Sequence, residues 1–143
     1  MTTTPFAVVD VETTGFRDSD RIVEVAVVML DDAGRVEGRW QSLVQPDRDI
    51  ANAHVHGITA AAVAGAPSFP GIAAELAGLL DGRILVAHNA AFDVRFLRSE
   101  FARVGVELPP QGWWVCTQQL SGRLLPGGAR FAGGVPGRRG PGQ

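Results

Sequence analysis

Two acids break the first apolar run of the chain. Phe6 to Val11 (FAVVDV) is short, apolar and β-branched, as a buried strand should be, yet Asp10 sits inside it and Glu12 follows one residue later. Side chains two apart on a strand share a face, so both carboxylates point the same way. Like charges so placed repel unless a cation lies between them or water reaches both. A solvated acidic strand end and a divalent-metal site both fit the pair, and the tight Thr13-Thr14-Gly15 turn that follows leaves the two readings level. Carboxylate-only ligation suits Mg2+ or Mn2+ better than zinc.

At 143 residues, one compact core is the expectation, and a 45% hydrophobic content is too high for a disordered chain. Residues 50–74 lack Asp, Glu, Lys and Arg, but His54, His56, Gly57, Pro67 and Pro70 interrupt them, which rules out a spanning helix there. The N-terminus has no basic stretch or cleavage pattern of a signal peptide, and Cys116 is the single cysteine. No internal disulfide can form, and a reducing cytoplasm is the expected compartment.

The remaining apolar pattern indicates an α/β architecture. Ile22 to Leu30 reads as a second strand, Asp31 to Gly34 as a turn, and Val36 to Val44 as a third, more polar strand, giving an antiparallel meander. Phe69, Ile72, Leu76, Leu79 and Leu80 recur at helical spacing between Ser68 and Gly82. Ile84 to Ala87 is a buried strand, and Asn89 is placed to cap a helix running to about Val104. Trp113 to Cys116 reads as a fifth strand and Thr117 to Leu125 as a short helix. The order βββ-α-β-α-β-α describes a mixed sheet flanked by helices.

Asp93 is the third acid of interest. On a helical wheel it falls among Val94, Phe96, Leu97, Phe101 and Val104, where an unpaired acid is costly. A first-turn acid favoured by the helix dipole is the alternative, and Glu100 on the same stripe weakens the argument from the wheel. His56 precedes a helix start at Thr59, and a loop histidine bonded to backbone is its ordinary reading. His88 ends a strand where open α/β sheets bind ligands. Neither has a zinc-ligand neighbour in sequence. Trp113 and Trp114 read as core, with stacking on bases the alternative, and Cys116 reads as an inert core residue.

Four strings, in order, resemble the DEDD-type 3′–5′ exonucleases, a group that includes the proofreading epsilon subunit of bacterial DNA polymerase III and ribonuclease T. They are Val8 to Gly15 (VVDVETTG), His56 to Thr59 (HGIT), Val86 to Asp93 (VAHNAAFD), and Val115-Cys116-Thr117 with Leu120 and Leu124-Leu125-Pro126. The resemblance implies a ribonuclease H-like fold with a mixed five-stranded sheet, and two-metal hydrolysis of the 3′-terminal phosphodiester with Mg2+ or Mn2+. It implies that Asp10, Glu12 and Asp93 hold the metals, that Thr13 and Thr14 face the terminal nucleotide, and that His56, Asn89 and Phe92 line its pocket. A single-stranded 3′ end of DNA or RNA, more readily DNA, is the implied substrate, and a DNA polymerase subunit is a candidate partner; no membrane is involved. A non-catalytic nucleic-acid-binding module and a hydrolase of another phosphoester are the alternatives.

The family also uses a general-base histidine and, five residues later, a fourth aspartate. Here all three histidines precede residue 89 and no Asp follows Asp93, so residues 1–126 read as an exonuclease domain without its third motif and last helix, with activity impaired. Residues 1–126 hold 10 Arg and 15 acids, whereas residues 127–143 hold three Arg, seven Gly and no acid, the composition of a disordered tail. GC-rich codons for residues 128–135, read one base later, give Ala-His-Val-Ser-Leu-Ala-Ala, similar to the family's next segment. A shifted frame is therefore the favoured origin of the tail, over natural truncation or a gene fragment.

Overall fold

The computed structural model describes residues 5–108 and 114–124. β1 (Phe6–Thr13), β2 (Ile22–Leu30) and β3 (Val36–Leu43) form the antiparallel meander. After them come α1 (Ala53–His56), α2 (Ala60–Val63), α3 (Phe69–Leu80), β4 (Ile84–Ala87), α4 (Ala90–Arg103), β5 (Trp114–Cys116) and α5 (Thr117–Leu124). The sheet is mixed and five-stranded, in the order β3-β2-β1-β4-β5, with β4 and β5 parallel to β1 and to each other.

Alternation sets the faces. Ala7, Val9 and Val11 of β1 and their β2 neighbours Val25 and Val27 are buried on one face. That face packs on Ile72, Leu76 and Leu80 of α3 and Val94, Leu97 and Phe101 of α4. Phe69 and Phe101 meet edge to face at 5.1 Å between ring centroids, joining the two helices at their base. On the opposite face Val8, Val28 and Val86 are only half-buried among the described residues.

Most elements lie where periodicity puts them, and the differences have local causes. β1 runs two residues past Val11 because Glu12 and Thr13 still pair with Glu24 and Ile22 of β2. Asn89 occupies the N-cap position of α4 without a side-chain capping bond. Trp114 is 39% exposed and Cys116 half-buried, so neither is a core residue as expected from sequence; β5 is a three-residue edge strand with one neighbour. Trp113 and the Gly/Arg-rich segment 127–143 lie outside the described residues. No helix among the described residues is long and apolar enough to cross a membrane.

Candidate active site

β1 and β4 are parallel, so their carboxyl ends open on the same edge of the sheet, the usual place for a ligand in such folds. The pairing of β4 with β1 stops at Val86, opposite Val8, while β1 continues to Thr13. The far half of β1 therefore has a backbone edge without a strand beside it. α4 begins three residues after β4 ends and turns Asp93 toward that edge, where the carboxyl accepts from the Val11 N–H. This is the physical reason an acid sits on the packing side of α4.

Asp10 and Glu12 flank Val11 on the other face of the strand, Asp10 exposed and Glu12 half-buried. Asp93 is 6% exposed. Burial first, then the negative charges of Asp10 and Glu12, push its carboxyl up to about 7, against the bond from Val11 that favours the anion. The structure thus brings Asp10, Glu12 and Asp93 within one another's electrostatic reach. Oxygen-only donors of this kind suit a hard divalent cation, which would relieve the repulsion. Among the described residues no group of three or more His, Cys, Asp or Glu is already drawn into ligand geometry.

Glu100, the second acid of the α4 stripe, has a different role. It is 1% exposed and ion-paired with the Arg21 guanidinium at the start of β2, so it anchors α4 to the sheet and does not belong to the acidic cluster.

The loop after β1 is held by groups that sequence reasoning passed over. Asp20 is buried; burial raises its carboxyl, but the Thr14 hydroxyl, the Arg17 N–H and the Arg48 charge outweigh this and hold it below the ordinary range. Thr14 Oγ1 donates to Asp20 Oδ1 at 2.7 Å and accepts from the Arg21 N–H at 3.0 Å, and the Arg17 N–H donates to Asp20 Oδ2 at 2.9 Å. A Cβ on Gly15 would lie 2.8 Å from Asp20 Cγ, so the residue after the two threonines must be glycine for the loop to close. Thr13 Oγ1 donates to the Gly15 carbonyl at 2.7 Å. Both threonine hydroxyls thus bond within the loop.

His56 serves the same loop. Its Nδ1 accepts from the Ile58 N–H at 3.0 Å, which puts the ring proton on Nε2, 2.9 Å from the Thr13 carbonyl and 3.2 Å from Asn52 Oδ1. His88 is exposed, with Nδ1 at 3.0 Å from Thr117 Oγ1. Asn89 is exposed beside it. Phe92, half-buried, packs at 4.7 Å on Phe96 and 5.9 Å on Phe16. Phe16 is 64% exposed, and its one sequence signal was a bulky aromatic directly after Thr-Thr-Gly.

Comparison with known proteins bears on the family and the fold. The family model RNase_T, described as Exonuclease, matches residues 7–128. The chain is 42% identical over 105 residues to a DNA polymerase III subunit epsilon-like protein of Rhodobacter capsulatus, covering 70% of this chain and 15% of that protein. It is 34% identical over 108 residues to the 3′-5′ exonuclease DinG of Bacillus subtilis, covering 73% of this chain and 12% of that one. It therefore spans less than a fifth of the length of either relative. E. coli exonuclease I in complex with a dT13 oligonucleotide superposes with a TM-score of 0.70 at 22% identity, over 77% of this chain and 26% of that one. That likeness establishes the ribonuclease H-like fold. With the family match spanning most of the chain, this protein belongs to the exonuclease family.

Proposed function

We propose that the chain is a 3′–5′ exonuclease domain that hydrolyses the terminal phosphodiester of a nucleic acid, with DNA the preferred substrate. The observation that carries this reading is Asp93 turned from α4 onto the Val11 N–H, with its carboxyl pushed up by the charges of Asp10 and Glu12 as well as by burial. Three acids placed so close on a chain of net charge −2 repel a phosphodiester unless a cation sits among them. Mg2+ or Mn2+ is the cofactor we assign, held by Asp10, Glu12 and Asp93. Such ions, when bound, polarise the phosphoryl oxygen and stabilise the attacking and leaving oxygens.

The chain's own groups do the positioning. The Val11 N–H fixes Asp93, and the bonds of Thr14 with Asp20 and Arg21 and of Thr13 with Gly15 hold the loop that follows Glu12 and the end of β1. His56 holds the Thr13 carbonyl at the end of β1. Phe92, with Phe16 against it, offers an aromatic surface for the terminal base, and Asn89 borders it at the start of α4. A DNA polymerase subunit is the partner we assign, from relatives named DNA polymerase III subunit epsilon and epsilon-like.

The test is release of labelled mononucleotide from a 3′-labelled single strand. Release with Mg2+, abolished by EDTA and by Asp10→Ala, is the expected result. Binding of the strand without release would instead favour a non-catalytic nucleic-acid module.

A further inference from the structure

α4 has an outer face that the reaction does not use. Its two acids, Asp93 and Glu100, are both buried toward the body, while Arg95, Arg98 and Arg103 are all exposed. These three fall within about 140° of the helix circumference. A surface that is wholly cationic on this helix stands out, because residues 1–126 carry 15 acids against 10 arginines.

The arginines are also ordered against aromatic rings. The Arg95 guanidinium lies 5.7 Å from the Phe92 ring centroid and 5.0 Å from that of Phe96, and donates to the Phe16 carbonyl at 3.0 Å. Its carboxylate partner among the described residues, Asp18 at 3.3 Å, is 92% exposed, a pairing too solvated to hold it against a phosphate. Arg98 lies 5.7 Å from the Trp114 ring centroid. Phe16 at one end and Trp114 at the other are exposed large aromatics, and the two arginines lie between them. From Phe92 to Arg98 the helix covers about 9 Å, leading away from the acidic cluster.

Cations interleaved with exposed rings are what a single strand requires: phosphates pair with guanidinium groups and bases stack on aromatic faces, without sequence preference. We infer that the outer face of α4, from Phe16 and Arg95 to Arg98 and Trp114, binds the single-stranded nucleic acid that leads into the acidic cluster. This rests on the nuclease reading for the strand's direction, and on the surface alone for its binding.

The experiment is fluorescence anisotropy of the full chain with 5′-labelled thymidylate probes, a dinucleotide and a strand of about ten nucleotides, in EDTA across a salt series. Arg98→Glu should weaken the longer strand about tenfold and lower its salt slope by about one, while the dinucleotide, with no cation at the acids, binds weakly to both chains. Trp114→Ala, at an exposed position, should weaken the longer strand several-fold and keep the slope. Thermal melts of both variants establish that they fold. Equal affinity of the two probes for the unmodified chain, or unchanged binding of the longer strand by Arg98→Glu, overturns the inference. Length-dependent, Arg98-sensitive binding without release of 3′ nucleotides upholds this surface and defeats the nuclease reading. Release without such binding defeats the surface alone.

Discussion

Asp93→Asn should make the metal-free protein more stable at alkaline pH. In the folded chain the Asp93 carboxyl is raised from 3.8 to about 7 by burial and by Asp10 and Glu12. Between those two values the folded state holds a proton that the unfolded state has released, so stability falls as pH rises from about 4 to about 7. It is fully present below the unfolded value and lost above the folded one. A shift of about three units corresponds to a ceiling of about 4 kcal/mol at 1.36 kcal/mol per unit. Because the proton belongs to a coupled cluster rather than to one residue, about 2–4 kcal/mol is the expected size. Asparagine keeps an acceptor for the Val11 N–H but carries no charge. In EDTA, urea unfolding at several pH values should give a wild-type curve that declines through this window relative to a flatter Asp93→Asn curve. The variant should be more stable by about 2–4 kcal/mol at pH 8 and nearly equal near pH 4. Parallel curves, or a variant less stable at pH 8, would refute the idea that the site stores electrostatic repulsion.

Three further outcomes follow from single contacts. Glu100→Ala leaves the Arg21 guanidinium without its buried partner, and should cost about 2–3 kcal/mol by urea titration, somewhat below a fully buried pair because Arg21 is part-exposed. Gly15→Ala forces a methyl against an Asp20 carboxylate that several bonds hold in place; a loss of about 1–3 kcal/mol with reduced nucleotide release is expected. His56 is engaged on both ring nitrogens and so is not placed as a general base, His88 is tied through Nδ1 to Thr117, and no histidine follows residue 88 where the family has its base. Steady-state assays of the 143-residue chain should therefore run at least about 100-fold below a version extended by a histidine-bearing segment. Equal rates would mean one of these histidines supplies the base.

What the sequence disclosed and withheld divides along physical lines. β2, α3, β4 and α4 were legible because one face of each is buried, which imposes a period on the residues. α1 was not, because Ala53–His56 buries no residue and so carries no period. The end of β1 was hidden because Thr13 opens a Thr-Thr-Gly string that looks like a turn, and its strand geometry comes from its partner Ile22 in β2. Asp10, Glu12 and Asp93 stood out as acids in apolar settings, whereas Glu100 looked the same; its partner Arg21 is 79 residues away, a distance no wheel can bridge. Asp20 was passed over since Arg17-Asp18-Ser19-Asp20 reads as a solvated loop, and only the closed chain shows it buried under Thr14. Trp114 and Cys116 misled for the converse reason: β5 is an edge strand with one strand neighbour among the described residues, which leaves its apolar residues part-exposed.

The claim that Asp10, Glu12 and Asp93 act as one cation centre is tested most directly by Mn2+ titration of the full chain at pH 8, read by calorimetry. The account predicts binding by the unmodified chain that weakens at least about tenfold in Asp10→Ala and again in Asp93→Asn, although the latter folds more stably. It also predicts that binding weakens below about pH 7, where Asp93 takes up its proton. Mn2+ affinity unchanged by Asp93→Asn, or indifferent to pH across that range, would show that the buried carboxylate is no part of a metal site and would contradict the account.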